Sequence, residues 1–267
     1  MTPAGSRHRV RRVTGSSVVQ VSQLSLEERR QLSARLLEIY SESMTGLTAE
    51  TFYDDVFGSE ETRIVLFRGE HDELAGFAFT RIDRVEVDGK VCASFTGGVS
   101  FRLAYKGGGL ETARFGLAQA IRFKLREPRV PLAFITRASS PAAYRILPLT
   151  MPEVFPHPER ATPPLIDRRV RAFAKHRGYR SIGENPWVAA SAAVPRAPER
   201  FRNLESDPFA RFFLAQNPSY ASGSALLVWT RLDVSDIVSG LARVAYLRLR
   251  SFTTSKTRSK RGDVERS

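Results

Sequence analysis

Cysteine is nearly missing from this 267-residue chain. Cys92 stands alone, so no disulfide framework and no cysteine-built zinc cluster forms within it. Histidine is as sparse: His8, His71, His157 and His176 are scattered, without HExxH or paired Cys/His spacing, and no metal ligands are expected. No uninterrupted apolar run reaches the roughly 18 residues that a bilayer span needs, so no membrane span is expected. Internal repeats are also lacking. Acids are absent before Glu27, yet Val18 to Leu26 is broken by Gln20, Ser22 and Gln23, which leaves no apolar core for a secretory signal. The expected compartment is the cytoplasm.

What is present is enough apolar material for a real core, 42% of the residues, together with a formal net charge of +13. That charge is unevenly placed. Arg7, Arg9, Arg11 and Arg12 lie in residues 1–15, and Arg248, Arg250, Lys256, Arg258, Lys260, Arg261 and Arg266 crowd the other end. The two ends hold nine of the thirteen excess charges, so the body between them is near balance. The expected organisation is a flexible basic arm at 1–15, one domain at 16–249, and a flexible basic tail at 250–267. Such arms attract polyanions through screened charge alone, and no dedicated nucleic-acid site is expected in the core.

Along the body, Ser16 to Val21 reads as a strand. Ser25 with Glu28 three residues on forms a capping box for a helix carrying Leu32, Leu36, Ile39 and Tyr40 toward Met44. Thr48 caps a second helix, Ala49 to Val56. The pattern then turns to strands: Arg63 to Phe67, Leu74 to Val87, and Lys90 to about Phe101. Asp88-Gly89 is a hairpin signal between the last two, because both turn positions need positive φ. A long helix follows, with Leu110, Ala113, Leu117, Ala120, Ile121 and Leu125 as its expected apolar side. Then come a strand from Leu132, a helix capped by Ser140 with Tyr144 and Leu147, and a stop at Pro148. Six prolines in residues 148–164 predict an irregular loop. Asp167 to Arg177 reads as helix, Trp187 to Val194 and Ser224 to Thr230 as strands, residues 195–209 as loop, and Val234 to Leu249 as a terminal helix.

The feature with chemical content is the strand that runs into Lys106-Gly-Gly-Gly109 and on into a helix. Successive glycines let the backbone approach a ligand without Cβ clashes, and the free N–H groups of a helix start attract a pyrophosphate. The P-loop pattern GxxxxGK[ST] is absent, and a dinucleotide fingerprint needs a parallel βαβ unit, not an antiparallel meander. Tyr105-Lys106-Gly107-Gly108-Gly109-Leu110-Glu111 instead resembles the acyl-CoA phrase of the GCN5-related N-acetyltransferase (GNAT) superfamily, with Lys106 at the arginine position and Glu111 at the final glycine. The order of elements over about residues 18–147 agrees. Lys175-His-Arg-Gly-Tyr179 is similar to a later phrase of the family, which makes 148–170 an insertion.

The resemblance implies an α/β (α+β) fold, with a mixed, mostly antiparallel central sheet flanked by helices and an extended C-terminal segment. It implies an acyltransferase that moves an acetyl or longer acyl group from acyl-CoA to a primary amine by direct attack in a ternary complex. Under it the amides of Lys106, Gly107, Gly108, Gly109 and Leu110 would hold the pyrophosphate, and an amide near Phe101 would polarise the acyl carbonyl. Tyr144 would be the general acid, or else a core tyrosine. No general base is evident: Asp83, Glu86 and Glu153 read as surface charges. Two other readings stay open. One is an N-acyltransferase fed by acyl carrier protein; the other is a non-catalytic module of the same fold whose basic ends contact nucleic acid or anionic lipid.

Overall fold

The computed structural model describes residues 11–105, 109–196, 204, 206–233 and 235–236. Lys106, Gly107, Gly108, residues 1–10 and everything beyond 236, including the tail and all of the expected terminal helix but residues 235–236, lie outside them.

Strand β1 (Gly15–Gln20) leads to helix α1 (Leu26–Ser41), and a two-residue strand β2 (Met44–Thr45) precedes α2 (Ala49–Phe57). Both helices start as the capping residues dictate. The Ser25 hydroxyl accepts from the Glu28 amide while the Glu28 carboxylate accepts from the Ser25 amide, and Thr48 pairs with Thr51 in the same way. Next comes the meander β3 (Arg63–Arg68), β4 (Leu74–Val87) and β5 (Lys90–Phe101). Its second turn is closed by Asp88 at φ 53° and Gly89 at φ 71°, as the Asp-Gly pair requires. Helix α3 (Gly109–Arg126) crosses over to β6 (Leu132–Ala138), which is followed by α4 (Pro141–Thr150), β7 (Val154–Phe155), α5 (Pro164–His176), β8 (Val188–Ala190), β9 (Val194–Pro195), α6 (Pro208–Gln216) and β10 (Ser224–Arg231).

The main sheet has the order β1-β3-β4-β5-β6-β10-β7, with β8 beside β7 on the same edge of β10. Every pairing in it is antiparallel except β5 with β6. β2 and β9 form a separate ribbon. Period-two alternation sorts the side chains of the meander between two faces. Ile64, Leu66 and Phe77 pack under α1 and α2 with Leu36, Ile39, Phe52 and Val56. Val65, Phe67, Ala78, Ala93 and Phe95 face α3 through Phe115, Ala120 and Phe123.

Four expectations are corrected here. The buried side of α3 is set by Phe115 and Phe123, while Ile121 and Leu125 are 40% and 80% exposed. A ring buries more apolar area than either aliphatic residue, and Arg84 locks it in place by lying 5.5 Å over Phe123 while bonding Glu127 and Glu61. Pro148 does not end α4: the final turn closes around it, with Met151 N–H on the Leu147 carbonyl at 2.8 Å and Thr150 Oγ1 on the Ile146 carbonyl at 2.7 Å. The proline-rich stretch is not wholly irregular either. Val154–Phe155 pairs with Trp229–Thr230, and Pro163-Pro164 starts α5, where a missing N–H is harmless. Trp187 to Val194 is not one strand but two short ones, β8 and β9, in different sheets.

The C-terminal segment is integral to the sheet. Leu226, Leu227, Val228 and Trp229 are at most 3% exposed, because β10 lies inside the sheet and not at its edge. Helix α6, with Asp207 accepting from the Phe209 and Ala210 amides as its cap, packs Phe212 and Phe213 on Tyr144.

Candidate functional site

The central feature is a parting of two strands. β5 pairs with β6 only at Ala93↔Leu132, Ser94↔Ala133 and Phe95↔Phe134, after which Thr96 Oγ1 donates to the Ile135 carbonyl at 3.1 Å and the strands separate. β5 continues to Phe101 and β6 to Ala138 on opposite sides of a wedge. The amide of Ala93 points toward β6, to the Pro131 carbonyl, and that of Arg102 points toward β4, to the Ala75 carbonyl. With an unbroken register between them, the amides of Gly97, Val99 and Phe101 point into the wedge. A cavity of about 450 Å³ opens there, walled by residues 96–100 on one side and by Phe134, Thr136, Arg137 and Ala138 on the other.

Gly97 and Gly98 sit where the strands part. A Cβ at Gly97 would stand 2.5 Å from the Phe79 carbonyl oxygen, and one at Gly98 2.7 Å from the Phe79 ring. Glycine inside a strand marks a place where something must come close to the backbone. The far end of β5 is clamped by Glu42 at the end of α1, whose carboxylate takes Arg102 Nη1 at 2.6 Å and the Leu103 amide at 2.8 Å. That clamp aims the chain at the glycine run. Phe101 itself stacks on Phe67 at 5.0 Å, beneath α3.

On the α1–α2 face the cavity is lined by Tyr40, Met44, Leu47, Phe52, Val56, Phe77, Phe79, Ile146 and Leu147, a mostly apolar wall. One end is charged. Asp55 on α2 accepts from Arg137 Nη2 at 2.6 Å and lies 3.5 Å from Arg177 Nη2. Arg177 Nη1 is 2.7 Å from Asp83, which Arg81 also contacts at 3.0 Å. Tyr179 lies flat under Arg137, its ring centroid 4.5 Å from the guanidinium carbon. Burial pushes the Tyr40 phenol up to about 12, so it keeps its proton at neutral pH.

Of the residues expected to act, Gly109 and Leu110 open α3, and Lys106, Gly107 and Gly108 lie outside the described residues. Glu86 is exposed, whereas Asp83 is not the surface charge expected: its side chain is 4% exposed. Tyr144, read from the sequence either as general acid or as core tyrosine, has the surroundings of the second. It is fully buried on the far side of α4, its hydroxyl donates to the Pro156 carbonyl at 2.7 Å, and burial pushes the phenol above its ordinary range. It is a core tyrosine. Tyr144→Phe is therefore expected to lower stability by about 1–3 kcal/mol, because the Pro156 carbonyl loses its donor. Turnover at saturating substrate should stay at the wild-type value, as urea unfolding and a steady-state assay on the same preparation will tell.

The residues that sequence reasoning missed are Gly97-Gly98, Tyr40, Asp55, Arg137 and Arg177. The glycine pair carried a usable signal, since it interrupts an otherwise regular strand pattern. The charged residues carried none, because α2, β6 and the end of α5 converge only in the fold.

No protein-family model and no curated protein matches the chain. Among solved structures it is partly similar to three. A conserved protein of unknown function from Enterococcus faecalis shares 18% identity over 49% of this chain and 31% of its own, with a TM-score of 0.33. An acyl-CoA N-acyltransferase from Pseudomonas aeruginosa shares 14% over 64% of this chain and 91% of its own, with a TM-score of 0.30. A GCN5-related glucosamine N-acetyltransferase region of a fungal multi-domain β-N-acetylglucosaminidase shares 17% over 64% of this chain and 18% of that one, with a TM-score of 0.32. The chain thus spans under a third of the Enterococcus protein and under a fifth of the fungal one. The fold assignment rests on the chain's own topology: two helices before an antiparallel meander, a crossover helix, and central strands paired at one end and parted at the other. That topology is the mixed, mostly antiparallel arrangement that the resemblance to the GCN5-related N-acetyltransferase superfamily implies.

Proposed function

We propose that the chain transfers an acyl group from an acyl-CoA thioester to a primary amine by direct attack in a ternary complex. The observation that carries this reading is the wedge between β5 and β6, with a row of inward amides on one wall and a cavity of about 450 Å³ at its centre. An extended pantetheine arm carries two amides. It would replace the missing neighbour of β5, pairing with Gly97, Val99 and Phe101 as an added strand does. The donor set fits such an arm, and the start of α3 lies at the outer end of the same strand, where a pyrophosphate would sit beside the glycine run.

In this reading the neutral amine nitrogen attacks the thioester carbon, and the carbonyl oxygen gains charge at the inner end of the wedge, beside the Gly97 amide, with Phe101 at the pantetheine's outer end. The incoming ammonium gives one proton to solvent before it attacks; the tetrahedral species then collapses with loss of the thiolate, and the nitrogen's second proton ends on the sulfur as the free thiol. Tyr40 keeps its proton at neutral pH and lines the cavity, so it can hydrogen-bond the departing sulfur. Both Asp55 oxygens face guanidiniums, so this end of the cavity carries no free carboxylate to serve as a base.

Acetyl-CoA is expected to raise the melting temperature by mass action on the folded state, and free thiol should appear only when a primary amine is added. Acyl groups presented on acyl carrier protein form the comparison arm. A thermal shift with no acyl-CoA and thiol release with neither donor would remove the proposal.

A further inference from the structure

The charged end of the cavity defines the acceptor more narrowly, an inference that rests on the acyl-transfer reading above. Three guanidiniums, Arg81, Arg137 and Arg177, meet two carboxylates, Asp55 and Asp83. The other groups packed against them are Tyr40 from α1, Tyr179 beyond α5, and His176, whose ring nitrogen is 3.7 Å from Asp83 and adds positive charge if protonated. One positive charge is therefore left over in a half-buried place. Arg81 and Arg177 are 14% and 6% exposed; Arg81 donates to Asp83 and to the Asp54 carbonyl, and Arg177 donates to Asp83 with its other nitrogen 3.5 Å from Asp55. Arg137, 24% exposed, offers one nitrogen to Asp55, has its face on Tyr179, and lines the cavity with the rest of its donor fork. A planar fork with spare donors and an unbalanced charge is matched by a carboxylate.

The remainder of the wall is apolar: Phe52, Val56, Phe77, Phe79, Ile146 and Leu147. We propose that the acceptor is an α-amino acid with an apolar side chain, its carboxylate on Arg137, its amino group toward the wedge, and its side chain against that wall. A site with a carboxylate-binding fork rejects an analogue lacking the carboxylate, because the cation is then left desolvated and unpaired.

The probes are L-leucine and isopentylamine, which differ only in the carboxylate, with binding measured by calorimetry on the full chain and transfer measured with acetyl-CoA. Wild type should bind and use leucine with a KM roughly 10- to 100-fold below that of isopentylamine. Arg137→Gln should collapse that difference by weakening leucine, and Arg137→Lys should restore part of it. Equal handling of the two probes by wild type, or no leucine binding, overturns the inference without any variant. Transfer to isopentylamine alone leaves acyl transfer standing and removes the amino acid. Arg137-dependent leucine binding without any acyl transfer removes the reaction and keeps the site.

Discussion

Replacing Asp83 by alanine is expected to destabilise the protein by about 3–5 kcal/mol, the usual consequence of stripping one partner from a buried ion pair. Asp83 and Arg177 are 4% and 6% exposed, and their 2.7 Å contact joins β4 to the end of α5. Without the carboxylate, Arg177 keeps only the more distant Asp55, and Arg81 loses its contact across the strand. The loss is larger than a surface pair would give, because the guanidinium left behind has no water to replace its partner. A paired change, Asp83→Leu with Arg177→Met, should recover much of the stability, since neither member of the buried pair is then left without its partner. Urea unfolding of the three proteins checks this. A single-variant loss below about 1 kcal/mol would mean that the cluster is solvated, and its leftover charge would then lose its meaning for the acceptor.

Phe213→Ala is expected to be about as damaging, at roughly 3–5 kcal/mol, by loss of transfer energy plus an unfilled cavity. Phe213 is fully buried, 6.1 Å from the Tyr144 ring and 5.7 Å from that of Tyr220. The outcome also tests architecture. If α6 were a detachable cover over the cleft, truncating its inner face would alter substrate affinity and leave the unfolding midpoint nearly unchanged. Because α6 is tied through Tyr144 to α4 and by sequence to β10 inside the sheet, the prediction is the reverse. Denaturant midpoints, read beside KM values, separate the two.

Much of the N-terminal half was legible in the sequence because its signals are local. Ser25 with Glu28, Thr48 before its helix, and Asp88-Gly89 between apolar runs each specify a backbone shape within a few residues. The C-terminal half was harder for the opposite reason. β7, β8 and β9 are two or three residues long and exist only because β10 and β2 offer edges to pair with. No periodicity can build up over so short a length. Helix α6 did carry a signal, Asp207 followed by Pro208 with Phe209 and Phe213 on one side, and its aromatic density masked it. The glycine run drew attention to the end of β5, whereas among the described residues the parting of β5 from β6 begins earlier, at Gly97-Gly98. The charged end was invisible because Asp55, Arg137 and Arg177 come from three elements far apart in sequence.

The most direct test of the account is residue-by-residue amide hydrogen exchange with and without a non-hydrolysable acetyl-CoA analogue. The unbroken β4–β5 register assigns the amides of Gly98 and Ser100 to β4 and those of Gly97, Val99 and Phe101 to the wedge. Bound thioester should slow exchange at the second group and leave the first as it was. If Gly97, Val99 and Phe101 exchange at the same rate with the analogue present at saturation, the parted strands are not where the acyl donor lies, and the proposed reaction loses its site.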